Sequence, residues 1–161
     1  MLAAILDYRW IVFIHIVGVL GFVMFHGVSV MVALRLRRER DRAKIAELMQ
    51  FSGSSLSGMY ASLLLLLVGG IWAGFELDWW KFAWIWVALG VLVLMIAEMS
   101  AVARSFYQRV KEAVEIRPSG VPRRSDEELD QMLRSPLPMV NAVLGFAALL
   151  FITWLMVYKP W

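Results

Sequence analysis

The chain has 161 residues, 61% of them hydrophobic, a formal net charge of +3 and a mean hydropathy of +0.69. Soluble domains are only about half apolar, so this is the size of one domain with the composition of a membrane protein. The absence of cysteine excludes disulfides, thiolate metal sites and cysteine nucleophiles. The basic residues lie beside apolar runs rather than in a stripe of their own, so nucleic acid is not an expected partner.

The first element is an apolar run over residues 10–34, long enough for a membrane helix, which needs about 20 apolar residues. Asp7, Tyr8, Arg9 and Trp10 mark a water–lipid boundary before it. It lacks a basic leader and ends in arginines rather than at a small-residue cleavage site, so no signal peptide is expected. Both histidines of the chain, His15 and His26, lie in this run. Eleven residues return a helix to within roughly 20° of its starting direction, so His15, Gly18, Phe22, His26, Ser29 and Ala33 share one face. The two imidazoles then stand roughly 16 Å apart along it. Polar groups in lipid turn towards protein, and this face is expected to point inward.

Mixed charge over residues 35–44 suggests that the first helix continues into water, with Ile45, Leu48 and Met49 forming an apolar side. The run Ser52-Gly-Ser-Ser55 reads as a break that also caps the next helix. A second span follows over about 56–75, with Ser55, Gly58, Ser62, Gly69 and Ala73 on one face, a pattern that allows close approach of helix backbones. After a tight turn at 76–81, a third span covers about 82–103 and contains one charge, Glu98. Residues 104–116 read as its helical continuation, and the prolines at 118 and 122 end it. Ser125 and Glu128 form a capping-box pattern opening a short helix. The fourth span covers about 137–157, with Asn141 and Gly145 on one face as packing residues.

The expected fold is therefore all-α, a single integral membrane domain over 1–161 built as a four-helix up-and-down bundle. Apart from Arg9, Lys81 and Lys159, the 16 lysines and arginines lie in the polar segments 35–55 and 104–136. The positive-inside rule makes those segments cytoplasmic and both termini extracytoplasmic in a multi-pass protein of the inner (plasma) membrane. The eight tryptophans fall towards the opposite ends of the spans and read as an interfacial belt; a sharper reading has some of them, near His15, lining a site for a flat ring.

His15, His26 and Glu98 are the candidate functional residues, because ionisable groups inside spans are functional candidates by default. Each has a structural alternative, a hydrogen bond to a neighbouring helix. Counted by helical rise, His26 lies about 13 Å and Glu98 about 9 Å from the basic boundary, so a His26–Glu98 pair could relay a proton. One haem cannot use both histidines of this face, because axial ligands sit on opposite sides of one iron. No phosphate loop, zinc-protease helix or nucleophile elbow is present in the sequence, and the scattered methionines read as packing.

The first span, with Ile14-His15, Gly18, Gly21 and its arginine-rich end, followed by three more spans, resembles a family of bacterial integral membrane proteins of unknown function. Through it the chain resembles the membrane domains of copper-resistance protein D and the four-helix membrane protoporphyrinogen oxidases. The oxidase resemblance implies His15 as a haem or porphyrin ligand, with haem b as the cofactor, and Lys81 in the place of a third-span lysine. His26 is carried as a further cofactor-binding candidate. The functional expectation is a haem-binding or redox-associated membrane protein; the alternatives are a non-enzymatic accessory or assembly subunit of a larger membrane complex, and a small transporter. Its expected surroundings are the lipid bilayer, with a membrane protein partner or a second copy of the chain.

Overall fold

Residues 8–160, apart from the side chain at 103, are described by a computed structural model; Asp7 and Trp161, part of the expected boundary residues, lie outside that range. The helices are α1 (Tyr8–Leu36), α2 (Arg42–Glu76), α3 (Ala83–Val114), α4 (Asp126–Leu133) and α5 (Leu137–Tyr158), with one 3-10 turn at Trp79–Lys81. Among the described residues there is no strand, and the only sheet-like pairing is a single bridge between Ile116 and Pro122. Four helices, the last including the α4–α5 stretch, are long and apolar enough to cross a membrane. Their outward faces carry large apolar side chains with no protein against them: Leu20, Leu64, Leu94 and Leu150, one per helix, are 62–71% exposed. In water this would be unsustainable, and in a bilayer it is required.

Two features depart from the sequence reading. The first helix does not run on to Lys44. It ends at Leu36, and α2 begins afresh at Arg42. The reason is local: the Glu39 carboxylate accepts the backbone N–H groups of Arg40 and Asp41 at 2.9 and 3.0 Å, and the Asp41 side chain accepts that of Ala43 at 2.9 Å. Acidic side chains placed this way satisfy the orphan donors of a new helix. Conversely, Ser52-Gly-Ser-Ser55 does not break α2, which is continuous for 35 residues. The hydroxyls of Ser54, Ser55 and Ser57 donate to the carbonyls three residues earlier, at 2.8–3.2 Å. They fold back onto the helix instead of capping it.

The Ser125–Glu128 capping box forms as expected at the start of α4, and Asp78 turns the chain between α2 and α3 in a left-handed conformation, φ 53°. The long helices form a ring in which α1 adjoins α2 and α5, and α3 adjoins the same two. The core has three layers. At one end Trp84, Ile85, Ala88 and Leu155 join α3 to α5. In the middle Phe22, Leu66 and Leu92 meet. At the charged end Leu36, Ile45, Val110 and Leu133 bring α1, α2, α3 and α4 together, with Leu48 and Met49 against them. The sequence reading gives this end helical extensions and one apolar side; the structure closes them into a small core of their own.

Candidate functional site: the polar groups inside the bundle

The α1 face containing the histidines does point inward: Gly18, Phe22, His26 and Ala33 are buried. Its partner is the small-residue face of α2, where Ser62, Gly69 and Ala73 are buried. The glycines bring the two backbones together. A Cβ at Gly18 would stand 2.4 Å from the backbone nitrogen of Leu66, and one at Gly69 would stand 2.8 Å from that of His15. This close approach carries the imidazole of His15 to the α2 backbone, where its Nδ1 lies 2.7 Å from the Leu66 carbonyl oxygen. A carbonyl only accepts, so Nδ1 holds the proton and, in the neutral ring, the lone pair is on Nε2. Gly70 leaves the room for the ring, since a Cβ there would come within 3.0 Å of Nδ1 and Cε1. The side chain is half-buried.

His26 occupies a different environment. It is 4% exposed, its ring lies parallel to that of Phe22 and edge-on to that of Phe146, and its Nε2 has no hydrogen-bond partner. Gly145 of α5 covers that nitrogen: a Cβ there would be 3.1 Å from Nε2 and 3.5 Å from the Met99 sulfur. One turn away on the same face of α5, Asn141 is buried beside Glu98 of α3. The amide orientation that satisfies both groups has the Asn141 nitrogen donating to the two Glu98 carboxylate oxygens, at 2.5 and 3.0 Å. Hydrogen bonding of this kind is what allows a carboxylate to remain inside a bundle.

His26 and Glu98, the expected pair, each have a neighbour on α5. On α5, Gly145 packs against His26 and Met99, and Asn141 bonds Glu98. No ion pair joins His26 to Glu98 among the described residues. Depth along the helix could be counted from the sequence; which helices are neighbours could not. Asn141, read as a packing residue, is the partner that the sequence analysis missed. The available signal was the one used for the histidines: a polar side chain in a span seeks a polar partner.

The tryptophan-rich end is partly belt and partly core. Trp10, Trp72, Trp86 and Trp154 are exposed, whereas Trp84 is 1% exposed and lies edge-on to Trp79. Lys159 sits 4.3 Å from the Trp79 ring centre. Among the described residues no tryptophan ring is paired with His15, and no group of three or more His, Cys, Asp or Glu side chains could hold a metal ion. Lys81 pairs with Asp78, a surface contact at the turn.

No curated protein matches the chain significantly, and neither does any solved structure. A family profile described as "Predicted integral membrane protein (DUF2269)" matches residues 9–160. It supports the membrane family of unknown function and does not extend to copper-resistance protein D or the protoporphyrinogen oxidases. With nearly the whole chain matched, the protein belongs to this family of integral membrane proteins.

Proposed function

We propose that the protein is a haem-associated membrane protein in which His15 would hold the haem iron. One observation carries this reading: the bond from His15 Nδ1 to the Leu66 carbonyl, which leaves Nε2 available on a half-buried ring. A histidine ligand usually has its other nitrogen tied to a carbonyl or carboxylate, which fixes the ring and raises its basicity. His15 fits that requirement. His26 does not, because its Nε2 is closed in by Gly145 and its ring by Phe22 and Phe146. Haem held by His15 would supply one-electron redox chemistry. His26 and Glu98 are also proposed as a proton route; since His26 Nε2 has no hydrogen-bond partner and Glu98 bonds Asn141, that route requires a water between them.

The charged end is proposed to be cytoplasmic in the inner membrane, and a reporter fused after residue 161 should then be extracytoplasmic. For the cofactor, the test is the absorption spectrum of the detergent-purified protein before and after haem reconstitution. A Soret band is expected, and His15→Ala should remove it or shift it, whereas His26→Ala should leave it in place. Gly70→Ala, which crowds the His15 ring, should shift it. A folded protein that stays colourless after reconstitution overturns the haem reading and favours a non-enzymatic accessory subunit.

A further inference from the structure

The turn between α1 and α2, with the end of α4 beside it, contains two kinds of arginine. Arg42 is structural: its guanidinium donates to the carbonyls of Ala113 and Arg124 at 2.6 and 2.8 Å and to the Asp126 carboxylate at 2.7 Å. These contacts tie α2 to the end of α3 and the start of α4. Arg40 and Arg134 share one carboxylate, that of Asp130, each at 2.6 Å. Among the described residues, the Arg37 side chain reaches only the Arg134 carbonyl, at 3.4 Å, and Arg38 pairs with no carboxylate.

These last side chains border two adjoining hollows. One, of about 310 Å³, is walled by Leu34 and the four arginines 37, 38, 40 and 134, with no carboxylate in its wall. The other, of about 890 Å³, is a groove between the end of α1 and the beginning of α2, and Arg38 belongs to both. The groove changes character along its length. Met31 and Phe51, both more than half exposed, form its apolar part. Arg35, Arg38 and Lys44 form its cationic part. Glu39 and Glu47 also line it, but the Glu39 carboxylate is already engaged by two backbone N–H groups.

An occupant that complements this gradient carries a negative headgroup and an acyl chain. We propose that the hairpin binds an anionic phospholipid, its phosphate between Arg37 and Arg38 and one acyl chain along Met31 and Phe51. The site lies where the apolar helices give way to charge, at the level of lipid headgroups. Basic pockets at such boundaries attract acidic headgroups, with about 1 kcal/mol per cationic side chain, close to fivefold in affinity.

The test is native mass spectrometry of the full chain in a neutral detergent, titrated separately with phosphatidylglycerol, phosphatidylcholine and glycerol phosphate. Phosphatidylglycerol should bind at least tenfold more tightly than phosphatidylcholine, and glycerol phosphate should not compete at equal concentration. Arg37→Gln with Arg38→Gln should weaken phosphatidylglycerol more than tenfold, while Arg109→Gln, an exposed arginine on α3, should leave it unchanged. Phe51→Ser should weaken the lipid alone, which checks the acyl groove without removing a charge. Equal affinity for the two lipids overturns the proposal, as does equal loss in Arg109→Gln. Full competition by glycerol phosphate identifies a free-phosphate site and overturns the lipid.

Discussion

The bundle is held along two seams that solve one problem differently. Along α1–α2 the backbones themselves touch, through Gly18 against Leu66 and Gly69 against His15. Along α3–α5 large side chains interlock, Trp84 and Ile85 against Leu155, and one hydrogen-bonded pair, Glu98–Asn141, is added. In lipid, apolar area gives helices no reason to associate, so packing density and interhelical hydrogen bonds must do it. The first seam takes mainly the packing route, with glycine as its instrument and the His15–Leu66 bond as its polar contact. The second keeps side chains and adds polarity. Hydropathy makes the four helices look alike; the distribution of small residues is what separates the two seams.

The largest expected effect follows at Gly18. Any side chain there meets the α2 backbone, which cannot rotate out of the way as a side chain would. Gly18→Leu should abolish the native bundle, read as loss of the cooperative thermal transition in detergent. Gly27→Leu, on the same helix with nothing within 4 Å of its Cβ position, should retain it. Equal tolerance of the two would mean that the backbone seam is not what holds α1 to α2.

On the other seam, Trp84→Ala should cost about 3 kcal/mol, because overpacking is absent and the loss is a cavity. It should also release Lys159 from the ring cluster at the end of α5. Unfolding of this variant in detergent should still be cooperative. A loss comparable to that of Gly18→Leu would erase the distinction between the seams.

A double-mutant cycle sharpens the polar part. Glu98→Gln with Asn141→Leu should show a coupling of about 0.6 kcal/mol, with about 1.7 as the upper range for such pairs in membranes. Glu98→Gln with His26→Phe should be nearly additive, since Glu98 bonds Asn141 and His26 Nε2 has no hydrogen-bond partner. Strong coupling in the second cycle and none in the first would restore the direct His26–Glu98 contact that the sequence suggested.

How much of this was readable beforehand depends on the range of the interaction. The inward face of α1 and the small-residue face of α2 follow from helical periodicity, and the box at Ser125 follows from spacing; all three are local, and all three are present. The continuity of α2 was misread because serine hydroxyls can either cap a helix or bond back within it, and only the tertiary fit of Ile45 and Ser52 decides between them. The Glu98–Asn141 bond depends on α5 lying beside α3, a choice among ring orders that no single span encodes. For His15 the sequence supplied the residue but not its partner, because a backbone carbonyl such as that of Leu66 carries no sequence signature.

The charged end joins the two seams, and Tyr107 tests it by pH. Burial pushes its hydroxyl above the ordinary tyrosine value, with Ser52 pulling partly the other way. A raised folded value means the unfolded chain ionises first. This contribution is therefore intact below about pH 10 and is lost as pH rises through the folded value. Stability should fall more steeply above pH 10 in the native chain than in Tyr107→Phe, by alkaline thermal melts. Identical profiles would show that Tyr107 does not report on this junction.

The smallest effects should come from grading alanine along α1, and they bear most directly on what the glycines are for. At Gly18 even a methyl group meets backbone at 2.4 Å. At Gly21 it meets the Ser62 hydroxyl at 2.5 Å, a side chain that can turn aside, and at Gly27 it meets nothing within 4 Å. In water, alanine would gain about 1 kcal/mol over glycine in a helix interior. A membrane helix is already formed before the bundle assembles, so that gain is absent from the unfolding step in detergent. The expected order is severe loss at Gly18, about 1 kcal/mol at Gly21 for displacing the Ser62 side chain, and a change within about 0.5 kcal/mol at Gly27. Three equal values would mean that helix propensity, rather than distance to α2, sets the role of these glycines, and the backbone seam would lose its basis.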